Sequence, residues 1–451
     1  MMTLQLPDYV NTALNRLETA GFEAYAVGGC VRDRLMGRTP ADYDVTTAAL
    51  PRETAAVFAG ERIIGTGMKH GTVTVLLDGR PLEITTFRVD GAYSDARHPD
   101  AVTFTRSLRA DLARRDFTVN AMAYSTRTGL VDPFGGEADL RAKRICCVGD
   151  PAARFREDAL RILRCIRFSS VLGFAIDPAT AAAARENRAL LRTISAERVA
   201  EELKKLVCGA DVRRVVLEET DILGVVLPEI LPMRGFDQRN KHHVYDVLEH
   251  CAAACEAVPP EPVLRLAALL HDVGKPDCFF TDAEGVGHFY GHAERGAEIT
   301  DGIGRRLRLD NESRERITLL VRRHDMRIDP EKRSVLRCLR RFGAEFFFQL
   351  LEIKRADTLA HAPGPKMDER LSRYAELEAL ARDAIAEEAC FSLRSLAVNG
   401  RDLLDAGYAP GPALGQALET LLDAVTDGRV PNEKAALLAF LAAQGTAEDG
   451  T

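Results

Sequence analysis

No CxxC pair occurs among the ten cysteines of this 451-residue sequence. Cys146 and Cys147 are adjacent, and Cys251 and Cys255 fall one helical turn apart. That scatter excludes a zinc knuckle and reads as reduced thiols rather than a disulfide framework. An excess of positive charge is also missing: 60 basic residues face 67 acidic ones, for a net charge of −7. Coating of nucleic acid by bulk charge is thereby excluded, while a local basic groove on an acidic body is not. No apolar run approaches the roughly 18 residues needed to span a bilayer. The opening MMTLQLPDYVNTAL lacks a basic stretch followed by an apolar core, so no secretory leader is expected. Internal repeats and low-complexity segments are absent too. A cytoplasmic protein without a membrane partner is the expectation.

Hydrophobic residues make up 46% of the chain and charged residues 28%, enough to bury large cores in two to four domains. The expected fold class is α+β. Up to residue 138 the pattern is mixed: a helix from Asp8 to Thr19, then strand-like AYAVGG, TVTVLLDG and RPLEITTFRV. DGAYSDARHP, Asp90 to Pro99, reads as a turn-rich loop. Beyond residue 139 leucine, alanine, arginine and glutamate recur at helical spacing, predicting an all-α remainder. Residues 141–207 carry 14 lysines and arginines against 8 acidic residues, a candidate phosphate or RNA track.

Gly28-Gly29-Cys30-Val31-Arg32-Asp33 follows a strand and opens a helix. Glycines there let the backbone approach a phosphate closely, and Arg32 on the first turn suits a triphosphate. Shortly after comes Asp42-Tyr43-Asp44-Val45. On a strand, residues i and i+2 share a face, so Asp42 and Asp44 converge on one spot. Two crowded carboxylates call for a divalent cation, and Mg²⁺ suits oxygen ligands and a phosphate substrate.

GGxVRD followed closely by DxDV resembles the class II tRNA nucleotidyltransferases and the related bacterial poly(A) polymerases. Further blocks match in order. LEITTFR carries Glu83 as a third acidic group beside the pair. Arg114-Arg115-Asp116-Phe117-Thr118-Val119-Asn120-Ala121-Met122 is similar to the family's ribose- and phosphate-binding element, with the nucleotide-facing arginine left open between Arg114 and Arg115. VDPFGGEADLRAKRI resembles the hinge between head and neck. Phe155-Arg156-Glu157-Asp158-Ala159-Leu160-Arg161 resembles the nucleotide-selecting motif, buttressed by ISAERVAEELKKL. On a continuous helix Asp158 and Arg161 lie 60° apart and present one face to a base edge. Arg164 is then expected at the triphosphate or RNA backbone; Arg167 is a nucleotide contact by resemblance only, because it falls on the opposite side.

A second constellation begins beyond residue 240. His271-Asp272 ends an apolar helical run, with His243 upstream and His292, His324 and Asp357 downstream. Imidazoles and carboxylates from several helices suit a mono- or dinuclear metal site. The order resembles the HD phosphohydrolase superfamily, implying a divalent metal of unspecified identity: His243, His271, Asp272 and Asp357 on one ion, His292 and His324 available for a second. His242, His250, His288 and His361 are read as surface or packing residues. Near the end, Asn399-Gly400-Arg401-Asp402 and Gly411-Pro412 resemble the C-terminal tRNA-binding element of bacterial CCA-adding enzymes.

These resemblances imply a head (1–138), a neck that selects nucleotides and binds RNA (139–207), a helical body (208–237), an HD domain (238–362) and a tRNA-binding tail (363–451). The implied reaction is template-independent addition or repair of the 3′-terminal CCA of tRNA from CTP and ATP, with no obligate protein partner. Alternatives are an A-adding or CC-adding enzyme, a poly(A) polymerase, or an HD phosphohydrolase whose head only binds RNA. IIGTGMKHGTVTV looks more like the CCA group than the poly(A) group.

Overall fold

The computed structural model describes residues 4–91, 102–239, 245–361, 363–387 and 392–448. The loop expected at Asp90–Pro99 therefore lies outside the described residues from Ala92 onward, as do His242 and His243. The chain divides into two compact units, Met1–Leu231 with Arg306–Leu309, and Pro232–Arg305 with Asp310–Thr451.

In the first unit the strand-rich sequence builds an α+β head. Its strands are β1 (Ala24–Val27), β2 (Asp44–Thr47), β3 (Arg62–Ile64), β4 (Thr72–Leu77), β5 (Arg80–Thr86), β6 (Arg88–Asp90), β7 (Val102–Phe104), β8 (Ala123–Ser125) and β9 (Gly129–Val131). Seven of them form one mixed sheet in the order β3-β4-β5-β2-β1-β8-β9. Within that sheet, among the described residues, only β2 and β5 pair in parallel; β6 and β7 form a separate antiparallel ribbon. The helix Asp8–Thr19 has the bounds its periodicity predicts and buries Val10, Ala13, Leu14 and Leu17 against one sheet face. Ala24 and Ala26 of β1 join that core, while Tyr25 and Val27 join a second one with Phe87, Leu108 and Leu112. Covered on both faces, β1 is buried throughout and rigidly positions the glycine turn that follows it.

After the head the unit is helical, apart from a two-residue strand pair at Arg144–Ile145 and Ala175–Ile176. The helix Leu160–Leu172 packs on Ala196–Val207, burying Leu163, Ile166, Leu203 and Leu206. In the second unit the helices Val247–Ala257, Pro262–Leu270, Asn311–Arg323 and Ala344–Leu359 bury Leu248, Leu266, Leu320, Val321, Phe347 and Leu350. Further on, Asn399 caps the helix Gly400–Asp405 by accepting from the Arg401 and Asp402 amides, so the NGRD segment is a helix start. Among the described residues no helix is long and apolar enough to cross a membrane.

Candidate active site of the head and candidate metal centre

Burial alternates through Asp42, Tyr43, Asp44 and Val45: the two carboxylates are open and the residues between and after them buried. Both acids therefore share a face, although β2 itself begins only at Asp44. Asp44 stands opposite Glu83 in the parallel β2–β5 pair, so the third acid joins the same face. Desolvation of its carboxyl and the Asp42 charge, with a smaller push from Glu83, raise the Asp44 pKa to about 6 against the pull of Arg115. Three carboxylates with so little positive compensation are the donor set a divalent, oxygen-preferring cation fits.

Gly28 follows β1 with φ of +81°, and a Cβ there would sit 2.9 Å from Nη1 of Arg115. Only glycine suits that backbone and that closeness. Arg115 thus lies between the glycine turn and the field of Asp44, whereas Arg114 turns to Asp111, its Nε donating at 3.0 Å. Desolvation holds the Arg115 pKa down, and its Nε is buried with no hydrogen-bond partner among the described residues. Asp111 is the nearest acid, at 3.9 Å. Of the two arginines left open by the sequence, Arg115 is the one on the carboxylate side.

Arg32 is buried on the turn after Gly29. It donates to Asn120 Oδ1 at 2.6 Å and to Asp33 at 2.8 Å. Asn120 donates to Asp116 at 3.2 Å, and Asp116 accepts from Arg164 Nε and Nη2 at 2.8 and 2.6 Å. Arg164 lies 3.7 Å from Glu202, which pairs with Arg167 at 2.5 Å. The Phe168 ring lies under all three guanidiniums, at 5.2, 5.5 and 3.7 Å from Arg32, Arg164 and Arg167. A continuous polar chain thereby ties the glycine turn to the helix Leu160–Leu172. Arg164 and Arg167 converge on one acid rather than diverging.

Burial alone would raise the Asp116 pKa, but the Arg164 charge and the bonds from Arg164, Asn120 and Phe117 hold it at about 2. A depressed carboxylate contributes stability that is complete above its unfolded value near 3.8 and is lost as pH falls toward the folded value. Asp116→Ala should cost about 3 kcal/mol by stranding Arg164. The stability gap between wild type and Asp116→Asn should shrink between about pH 4 and pH 2 in urea titrations. A gap independent of pH would contradict the pairing.

Asp158 corrects the helical-face expectation. The helix Pro151–Glu157 stops before it, Asp158 is extended (φ −140°, ψ 103°), and a new helix runs from Leu160. The reason is local: its carboxylate accepts from the Leu160 amide at 3.1 Å and so starts that helix instead of continuing the previous one. Its other oxygen accepts from Arg198 at 2.8 Å. Arg161 is buried, donating to Glu157 at 2.6 Å and to the Arg114 carbonyl at 3.0 Å. Glu157, Arg198 and Glu202 were not singled out from the sequence; Arg198 and Glu202, four apart on an amphipathic helix, were the available signal.

In the second unit four histidines, like His361 against the Asp357 carbonyl at 2.7 Å, follow one rule. His250, His271, His292 and His324 each set Nδ1 against a backbone carbonyl, of Ala360, Ala268, Phe289 and Val321, at 3.2, 2.8, 2.8 and 2.7 Å. Nδ1–H donation fixes the tautomer and turns the Nε2 lone pair inward. His250 Nε2 lies 3.2 Å from His271 Nε2 and 3.0 Å from Asp357 Oδ1. His292 Nε2 lies 3.2 Å from His324 Nε2 and 3.4 Å from the far oxygen of Asp272, which thus faces both groups. His250–His271–Asp272, His250–Asp357–His361 and Asp272–His292–His324 each bring their ligand atoms within 4.8 Å of one another. This donor set fits divalent metal. His250 and His361, read from the sequence as surface or packing residues, accordingly fall within these candidate ligand groups. His250 lies on the buried face of its helix, a signal that the order of the motif alone did not use. Lys275 Nζ, 2.6 Å from Asp272, supplies positive charge there; Lys275 and His271 hold the Asp272 pKa far down despite its burial. His288 pairs with Asp282 at 2.6 Å, away from this group.

Family models match in four stretches: a poly A polymerase head domain at 24–146, a probable RNA and SrmB-binding site of polymerase A at 173–233, an HD domain at 241–362, and a putative tRNA nucleotidyltransferase domain 2 at 302–441. The CCA-adding enzyme of Limosilactobacillus fermentum is 35% identical over 428 residues, 94% of each chain. That of Geobacillus kaustophilus is 49% identical over 196 residues, 44% of this chain and 48% of its own. The crystal structure of the Bacillus stearothermophilus CCA-adding enzyme in complex with CTP covers 99% of both chains at 31% identity, with a TM-score of 0.73. The similarity runs end to end and the fold follows it: this chain belongs to the family of CCA-adding enzymes.

Proposed function

We propose that this protein builds or repairs the 3′-terminal CCA of tRNA from CTP and ATP, releasing pyrophosphate. The observation that carries the reading is the convergence of Asp42, Asp44 and Glu83 on one face beside Arg115, in a chain that matches a CTP-bound CCA-adding enzyme along its length. In each step the tRNA 3′-oxygen bonds to the α-phosphorus of the nucleotide, the α–β bridging bond breaks, and the hydroxyl proton passes to solvent. Asp42 and Asp44 would hold Mg²⁺, which would supply charge stabilisation and lower the pKa of the 3′-hydroxyl. Arg115 and Arg32 cradle the triphosphate at the glycine turn, and Asp158 with Arg161 reads the base edge. Asp116, Asn120, Arg164 and Arg167 keep those elements in register. The nine free cysteines of the described residues support a reducing, cytoplasmic setting. Labelled CTP and ATP should enter tRNA stripped of its CCA end, and no incorporation of either would refute the reading.

The second unit supports an additional, metal-dependent phosphohydrolase activity, because inward-facing imidazoles and shared carboxylates are assembled there. His250, His271, Asp272 and Asp357 would hold a metal that would supply an activated water and neutralise phosphate charge. Asp272→Ala and His250→Ala should each lower bound metal and phosphohydrolysis at least tenfold while sparing CCA addition. Metal content unchanged from wild type in His250→Ala would remove that residue from the ligand set.

A further inference from the structure

Next to the His/Asp cluster lies a cavity of about 480 Å³, and two cluster residues, His324 and Asp357, form part of its wall. Arg327, Lys354, Arg370 and Arg373 also line it, against one further acid, Asp325. Lys354 is 7% exposed, donates to the His324 carbonyl at 2.7 Å, and has no ion-pair partner among the described residues. Arg373 is committed to the Ile328 carbonyl at 2.7 Å and Asp329 at 2.9 Å. Arg370, one turn before it on the helix Pro365–Ala386, is exposed and has neither a hydrogen bond nor an ion pair among the described residues. The charges of Asp325 and Asp357 act on Lys354, yet four cations face these two acids around the cavity. An anion entering the cavity offsets that excess. Arg370 lies beyond the 241–362 stretch matched by the HD model, so the wall is completed by a helix outside that domain.

We infer that Lys354 and Arg370 form a phosphate-binding wall, and that the cavity takes a terminal phosphate monoester and presents it to the adjoining cluster. This rests on the reading that the cluster is a hydrolytic metal centre. In the reaction the water oxygen bonds to phosphorus, the ester P–O bond breaks, and the leaving alcohol takes up a proton as inorganic phosphate is released. Lys354 and Arg370 hold non-bridging oxygens, with Arg370 suited to bidentate contact.

The test is calorimetric titration of inorganic phosphate into the full-length protein loaded with Mn²⁺, comparing wild type with Arg370→Glu. Arg370 is exposed, so the variant should fold, and an unchanged melting temperature and circular dichroism spectrum verify it. The expected result is at least tenfold weaker phosphate binding at one site, with Mn²⁺ content unchanged; any phosphate bound at the head is common to both proteins. Equal affinity and stoichiometry in the two proteins would overturn the wall, even if both hydrolyse p-nitrophenyl phosphate and so uphold the metal centre. Arg370-dependent phosphate binding without any hydrolysis would uphold the wall and overturn the hydrolytic reading instead.

Discussion

Replacing Asp42 or Asp44 with alanine is expected to abolish addition of both C and A while leaving tRNA affinity near wild type. Three carboxylates share this face with Arg115 as the near cation, and the Asp44 pKa is driven up to about 6 by desolvation and by Asp42. Removing either acid relieves that crowding, so the folded protein should not lose stability. What is lost is the donor set for the cation that carries developing charge at the triphosphate. A loss of three or more orders of magnitude corresponds to about 4 kcal/mol or more of transition-state stabilisation. The same loss should appear with CTP and with ATP, because this face meets phosphates rather than bases. Single-turnover rates settle the matter: a variant retaining more than about a tenth of the rate, a deficit under ~1.4 kcal/mol, would remove its acid from the metal site.

Base selection should fail separately from chemistry. Cytosine and adenine each present an exocyclic amine beside an unprotonated ring nitrogen, whereas uracil and guanine present a carbonyl beside a protonated one. A carboxylate accepting from the amine and a guanidinium donating to the ring nitrogen accept the first pair and reject the second. Arg161, proposed as that guanidinium, is held by Glu157 and by the Arg154 and Arg114 carbonyls. Asp158→Ala should let UTP or GTP compete with CTP, with discrimination falling by about 1–3 kcal/mol, five- to 150-fold. Alanine also deletes the bond to the Leu160 amide, at about 1 kcal/mol of helix stability. Asp158→Asn keeps an acceptor for that amide yet offers the base a donor. If both variants relax selectivity equally, the base contact is responsible rather than the cap. Unchanged selectivity in both would mean that the base is read elsewhere.

The head was legible because period-2 alternation and short-range spacing carry its chemistry. Asp42 and Asp44 needed only a strand to share a face, and the residues of β4 and β5 alternate as their sequence does. The helix Asp8–Thr19 was legible for the same reason. Asp158 was not, because no proline or glycine marks the break. A carboxylate that captures an amide two residues on ends one helix and starts the next, and a helical wheel cannot register that. The choice between Arg114 and Arg115 needed tertiary distances to Gly28 and Asp111, which neighbouring positions in sequence do not encode. His250 was missed because an imidazole on a buried helix face resembles ordinary packing until Asp357, over a hundred residues later in the chain, is brought beside it. Glu202 as the partner of Arg164 and Arg167, and Phe168 as the partner of Arg32, were likewise invisible, since those partners lie on separate elements.

One polypeptide is expected to add C, C and A in order without a template. The direct measurement is product length on a sequencing gel after incubating this protein with tRNA lacking its CCA, with CTP alone, ATP alone and both together. Two added residues are expected with CTP, none with ATP, and three with the mixture, while tRNA already ending in CC should gain a single A. Arrest at two residues in the mixture, addition of A only to tRNA ending in CC, or an extended A tail would contradict that expectation.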